Sequence, residues 1–91
     1  MVNNVSVLEN SFINIPKLFP NPSSGEFNLE LDNVYKNITI KIRSIEGKLV
    51  STQNYKSTQN ITFEIKQATG IYIVEVSNLE GNSAKLRVIK K

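Results

Sequence analysis

The sequence predicts an all-β domain of about seven antiparallel strands. Apolar and polar residues alternate along several short runs, which is the period of a strand with one face against a core. Clusters of turn-forming residues separate these runs, and no segment has a sustained helical period. These observations favour a chain built from strands and turns.

The predicted strands follow from the alternation in chain order. They cover residues 12–18, 26–31, 38–44, 48–55, 61–65, 70–76 and 84–89. The residues predicted to face the core are Phe27, Leu29, Leu31, Ile38, Ile40, Ile42, Ile61, Phe63, Ile65, Tyr72, Val74, Val76, Ala84, Leu86 and Val88. The strand beginning at Gly70 is apolar on both faces at its start, which is typical of a central strand. On the last strand Lys85, Arg87 and Ile89 face outward, so we expect a largely basic outer surface there.

Turn chemistry connects the strands. Glu46-Gly47 predicts a tight hairpin in which Gly47 supplies a positive φ, and Glu80-Gly81-Asn82 predicts a second hairpin before the last strand. Longer loops are expected at residues 32–33, 57–60 and 67–70. About seven strands at this spacing predict an immunoglobulin-like β-sandwich.

The length of 91 residues predicts one domain with a modest core. Residues 1–11 lack a clear period, so we interpret them as a linker or an added N-terminal tail, with the domain covering residues 12–91. The N-terminus lacks the charged start and apolar stretch of a secretory signal. No apolar run approaches the about 18 residues of a membrane helix, so we expect no direct membrane insertion.

The composition argues against an enzyme. The chain has no histidine, cysteine or tryptophan, so the commonest general base, thiolate metal sites and the usual sugar-stacking side chain are all missing. Glu26, Glu30 and Asp32 share one strand face at a spacing that paired catalytic carboxylates can use. Alternating strands produce such rows routinely, and we therefore predict no catalytic residue, no metal and no cofactor.

The net charge of +3 is concentrated at the C-terminus. Lys85, Arg87, Lys90 and Lys91 close the chain with no acidic residue after Glu80. Four charges without interleaved aromatic residues do not predict nucleic-acid binding. Two interpretations remain open from the residues alone. The strand docks on a partner through charge-assisted contacts and strand addition along its edge, or its lysines deter edge-to-edge aggregation.

Two motifs predict structural corners. Pro20 and Pro22 restrict the backbone on either side of Asn21, and Gly25 is free to adopt a positive φ where the next strand begins. Gly70 precedes Ile71-Tyr72, where Tyr72 is expected to fill the core and place its hydroxyl at the edge.

These motifs occur in the order of a known family. The set comprises Pro20-Asn21-Pro22 with Gly25, Ile45-Glu46-Gly47-Lys48-Leu49-Val50, Gly70-Ile71-Tyr72 and the tail Lys85 to Lys91. Over residues 18–91 the chain resembles the type A C-terminal sorting domain of the type IX (Por) secretion system of Bacteroidetes. It departs from the family pattern at Arg43-Ser44, where an Asp or Asn is frequent.

The resemblance implies a non-catalytic label on a cargo protein that lies N-terminal to it. The parent would enter the periplasm, the type IX translocon would recognise the label, and the cargo would be secreted or displayed at the cell surface. A sortase-like peptidase would remove the label, and we expect its cut in accessible backbone between about Glu9 and Lys17. The resemblance favours recognition by the translocon, rather than protection against edge-to-edge aggregation, as the role of the C-terminal residues. These residues are Lys85, Arg87, Val88, Ile89, Lys90 and Lys91. The alternative is an immunoglobulin-like adhesion or carbohydrate-binding module that stays on the parent.

Overall fold

Six antiparallel strands account for the regular structure in the computed structural model, which describes residues 6–91. Their bounds are β1 Ser6–Asn10, β2 Lys17–Phe19, β3 Glu26–Ser44, β4 Leu49–Glu64, β5 Gly70–Asn78 and β6 Ser83–Lys90. The spatial order is β1-β6-β5-β3-β2, with β4 pairing on β3. No helix capable of crossing a membrane occurs within the described range.

The long hairpin of β3 and β4 joins two groups of strands. The first part of β3 pairs with β2 and with the end of β4, whereas its second part pairs with the start of β4 and with β5. The register between β3 and β4 shifts between Glu30 and Tyr35, where the ladder is interrupted. Apolar side chains from both groups belong to one buried cluster, so the strands enclose a single core.

The predicted core is confirmed. Every residue predicted to face inward is buried, and Phe12 and Leu18 join the same cluster. Phe27 and Phe63 lie opposite each other on β3 and β4, and their rings stack with centroids 5.7 Å apart. A period-two pattern with one buried face therefore located the core correctly.

Two predicted loops are continuous strand instead. Residues 32–33 lie within β3 and residues 57–60 lie within β4, which merges four of the seven predicted strands into two. The strand β1, which the sequence did not predict, brings the count to six. The β3–β4 register shifts between Glu30 and Tyr35, and Ser57 takes a positive φ of 50°, so the pairing is interrupted there without either strand ending. By contrast, the hairpins at Gly47 and Gly81 are confirmed, each glycine having φ near 95°.

The N-terminal part of the chain departs most from the sequence prediction. The predicted linker of residues 1–11 contains β1, and residues 1–5 lie outside the described residues. The predicted strand of residues 12–18 is reduced to β2, although Phe12 is buried and packs edge-on against Tyr35. The side chains of β1 from Val7 to Asn10 are all exposed, so no alternating pattern marks this strand.

The hairpin at Gly47 also shows how Ser44 serves at the position where the family pattern frequently has an Asp or Asn. The hydroxyl of Ser44 accepts a hydrogen bond from the backbone N–H of Lys48 at 3.2 Å. Serine therefore supplies the side-chain acceptor that an Asp or Asn provides in such turns.

Candidate recognition surface

The last strand, β6, is paired on both sides. β5 pairs with it from Ser83 to Lys90, and β1 pairs with Ala84 to Arg87 on the opposite side. The edge expected to be free for strand addition is therefore covered over these four residues. The sequence did not indicate this, because the pairing uses the backbone of β1 and none of its described side chains is buried.

The proline corner, which we define as residues 20–25, holds the end of the chain after the part of β6 that β1 covers. The backbone N–H of Ile89 donates to Oδ1 of Asn21 at 2.9 Å, and the carbonyl of Ile89 accepts from the N–H of Ser23 at 3.1 Å. The N–H of Lys91 donates to the carbonyl of Ser23 at 2.8 Å. The first and last predicted motifs thus form one unit, in which Ser23 makes an isolated parallel bridge with Lys90 of β6.

Ser23 and Gly25 give this corner its shape. Ser23 is buried, and its hydroxyl donates to the carbonyl of Glu26 and accepts from the N–H of Gly25 at 3.1 Å. Gly25 has φ +142°, and a Cβ there would lie 3.1 Å from the carbonyl oxygen of Ile65. Ser23 is a site residue that the motif pattern did not identify, although a serine between the second proline and the glycine is a usual source of local turn hydrogen bonds.

The four basic residues of the tail differ in their availability. Nζ of Lys85 lies 3.7 Å from Oε2 of Glu9, and Nζ of Lys90 donates to the carbonyl of Gln67 at 2.6 Å. Arg87 and Lys91 are exposed, and within residues 6–91 neither side chain has a hydrogen-bond or ion-pair partner. The available positive charge is therefore concentrated at Arg87 and Lys91.

The apolar residues of the tail are placed less favourably for contact. Val88 is fully buried in the core, so its side chain cannot touch a partner of the folded domain. This corrects the expectation that Val88 is a contact residue. Ile89 is half buried on the outer face opposite Ile71 of β5, and its backbone is held by the corner.

The remaining motif residues have structural positions. Tyr72 is buried, and its hydroxyl donates to the carbonyl of Ala68, which fixes the loop before β5. Gly70 begins β5 with φ +153°, and Gly47 lies in the β3–β4 hairpin. In the β5–β6 register Gly70 lies opposite Lys90 and Tyr72 lies opposite Val88.

The carboxylate row lies on the exposed surface of β3. Glu26, Glu30 and Asp32 are exposed, and the hydroxyl of Tyr35 donates to Oδ1 of Asp32 at 2.7 Å. This hydrogen bond lowers the pKa of Asp32 and raises the pKa of Tyr35 to about 12. Across residues 6–91 no group of three or more acidic, histidine or cysteine side chains could hold a metal ion.

The connection between β1 and β2 is the most accessible segment near the expected cleavage region. Ile13 is 93% exposed and Ile15 is 52% exposed, between the buried residues Phe12 and Pro16. Ser11 is fixed at one end, because its N–H donates to the carbonyl of Ser83 at 2.8 Å. Residues 13–15 are therefore an exposed stretch of three residues within the predicted interval, with one side-chain hydrogen bond from Asn14 to Asp32 at 3.4 Å.

Comparisons with known proteins agree with this architecture. The profile of the family described as "Secretion system C-terminal sorting domain" matches residues 17–91. The chain is similar to a DUF3244 family protein from Bacteroides vulgatus ATCC 8482, whose crystal structure is described as an immunoglobulin-like β-sandwich. That likeness has a TM-score of 0.80 at 17% identity and covers 100% of both chains, so it supports the fold alone. No curated protein matches the chain.

Proposed function

The chain belongs to the secretion system C-terminal sorting domain family, and we propose that the type IX machinery recognises it through the exposed basic residues of its C-terminal strand. Membership implies a cargo on the N-terminal side and export of that cargo across the outer membrane, to the surface or the medium. Sorting domains and immunoglobulin-like folds are typically non-catalytic.

The observation that carries this proposal is the contrast between fixed backbone and available charge at the end of β6. The backbone of Ile89 and Lys91 is held by Asn21 and Ser23, so the tail is ordered before it meets a partner. Arg87 and Lys91 remain exposed beside it. A receptor with acidic side chains can therefore bind a pre-arranged pair of cations without paying the entropy of ordering a loose tail.

Removal of the label is the second part of the proposal. A sortase-like peptidase would cut within residues 13–15, because this segment is exposed and lies between anchored residues. Since recognition precedes crossing of the outer membrane, the labelled parent would pass through the periplasm on its way to the secretion machinery.

A fusion tests the proposal. The full chain is placed after a fluorescent passenger that has its own export signal, in a host with the type IX system and in a mutant lacking it. We expect the passenger outside the outer membrane in the first host and in the periplasm of the second. The same distribution in both hosts would refute the sorting role.

The cut is tested separately by N-terminal sequencing of the released domain. A new terminus within residues 13–16 is expected. A terminus inside β3 or any later strand would contradict removal at the exposed connection. An intact fusion on the cell surface would instead favour the retained adhesion module.

A further inference from the structure

The strand β1 contributes unusually little to the fold that it joins. No side chain from Val7 to Asn10 is buried, and none belongs to the core cluster. Its pairing with β6 is interrupted by a register shift between Val7 and Glu9. The one ion pair, between Glu9 and Lys85, joins half-exposed side chains at 3.7 Å and contributes at most about 1 kcal/mol.

β1 nevertheless covers one edge of β6. If β1 moved away, the unpaired backbone groups of residues 84–87 would form a free strand edge. The proline corner continues to hold Ile89 and Lys91, so the opened edge would end where the corner begins. It would lie directly beside Arg87, the exposed cation of the strand.

We propose that β1 is an exchangeable strand, and that an extended segment of the secretion receptor takes its place on residues 84–87 of β6. This inference rests on the proposed function, since it describes how the same tail is bound. The family match begins at residue 17, so β1 lies outside the part that the chain shares with the family, whereas β6 lies inside it.

β1 itself indicates the chemistry of the incoming segment. It runs antiparallel to β6 and places the carboxylate of Glu9 next to Lys85. A receptor strand with an acidic residue at that position, and a second acidic residue reaching Arg87, would gain the backbone hydrogen bonds of β1 and one further ion pair.

The movement involves residues 6–10 and breaks the two hydrogen bonds between the side chain of Asn10 and the backbone of Phe12. Ser11 is bound to Ser83 through backbone and side chain, and Phe12 is buried against Tyr35. These contacts leave the core closed while β1 swings outward, so exchange does not require unfolding of the domain.

A disulfide lock tests the exchange directly. The chain has no native cysteine, so Glu9→Cys with Lys85→Cys joins β1 to β6 across a directly paired position. The control lock, Ser77→Cys with Ser83→Cys, joins β5 to β6 and leaves the β1 side free to open. Glu9→Ser with Lys85→Ser removes the same side chains without a cross-link. Closure of each disulfide is verified by mass.

The first readout is binding of a synthetic peptide with the sequence of residues 5–12 to the purified full chain. At millimolar peptide we expect amide chemical-shift changes at residues 84–87 in the unmodified chain and in the control lock, and at least tenfold smaller changes in the β1 lock. Equal shifts in both locks, shifts confined to the open edge of β4, or no shifts in the unmodified chain would overturn the exchange.

The second readout is export of the passenger fusion. The control lock should be exported like the unmodified fusion. The β1 lock should remain in the periplasm, with export at least tenfold below that of the Ser/Ser variant, which lacks the same Lys85 contact. Export of the β1 lock with its disulfide intact contradicts the inference. Failure of the unmodified fusion contradicts the sorting role instead, and leaves the peptide result to decide on the exchange.

Discussion

The side-chain oxygen of Asn21 accepts a hydrogen bond from the backbone N–H of Ile89, 68 residues further along the chain, at 2.9 Å. This contact joins the proline corner to the C-terminal strand at the point where β1 no longer covers it. The two motifs at the opposite ends of the domain are therefore parts of the same structure, and the corner orders the tail.

Replacing Asn21 by Ala should destabilise the domain by about 1–3 kcal/mol, because the N–H of Ile89 would lose its partner in a partly buried position. Urea unfolding of the purified chain measures the change. Asn21→Asp is the matched control, since it keeps an acceptor oxygen and removes Nδ2, which is buried without a partner. A variant Asn21→Ala as stable as the unmodified chain would show that the contact contributes nothing.

Gly25→Ala should also destabilise the fold, by about 1–3 kcal/mol. The backbone at Gly25 has φ +142°, and the new Cβ would press on the carbonyl oxygen of Ile65 at 3.1 Å. Gly81→Ala is the control, because Gly81 also has a positive φ but a Cβ there would have no atom within 4 Å. Thermal unfolding should rank Gly25→Ala below Gly81→Ala, and the reverse order would contradict the role of the carbonyl contact.

Deleting residues 88–91 should lower stability on the order of 3–5 kcal/mol. The deletion removes the fully buried Val88 together with the hydrogen bonds that Ile89 and Lys91 make to the corner. Denaturant unfolding and the dispersion of amide NMR signals measure the effect. A truncated chain that unfolds at the same denaturant concentration as the intact chain would be inconsistent with this structure. Loss of export by this truncation alone therefore does not identify a recognition residue.

The pair of Asp32 and Tyr35 gives a prediction about pH. The hydrogen bond lowers the pKa of Asp32, so the stability that this carboxylate contributes is present above its unfolded pKa of about 3.8 and is lost as the pH falls through its folded value. The pKa of Tyr35 is raised to about 12, so its contribution is present below about pH 10 and is lost as the pH rises towards 12.

Tyr35→Phe should move the pKa of Asp32 back towards its ordinary value and remove the highest phenolate transition. Carboxyl-carbon NMR follows Asp32, and the difference in ultraviolet absorbance between the two proteins follows the phenol. An unchanged Asp32 titration in Tyr35→Phe would mean that the hydrogen bond at 2.7 Å does not set this pKa.

The sequence predicted the core well and the strand edges poorly, for a physical reason. A strand with one buried face has an alternating pattern, as in Phe27, Leu29 and Leu31, and each of these residues is buried. β1 has no buried described side chain, so its pairing with β6 leaves no trace in the hydrophobic pattern.

The same distinction applies to the candidate surface. The basic residues of β6 were identifiable as charges, but their partners were not. The carbonyl of Gln67 that binds Lys90 and the backbone groups that bind Asn21 belong to residues distant in sequence, and backbone groups carry no residue signature. Val88 was misassigned as a contact because it lies among basic residues, although its position on the inward face already predicted burial.

Charge reversal tests the central claim most directly. Arg87→Glu with Lys91→Glu changes the two exposed cations of the tail, and Lys36→Glu with Lys56→Glu makes the same change in net charge on exposed residues of β3 and β4. Both variants should retain the stability of the unmodified chain in urea. Export of the passenger should fall at least tenfold for the tail variant and remain normal for the control. Equal export of the two variants would contradict recognition through the C-terminal strand.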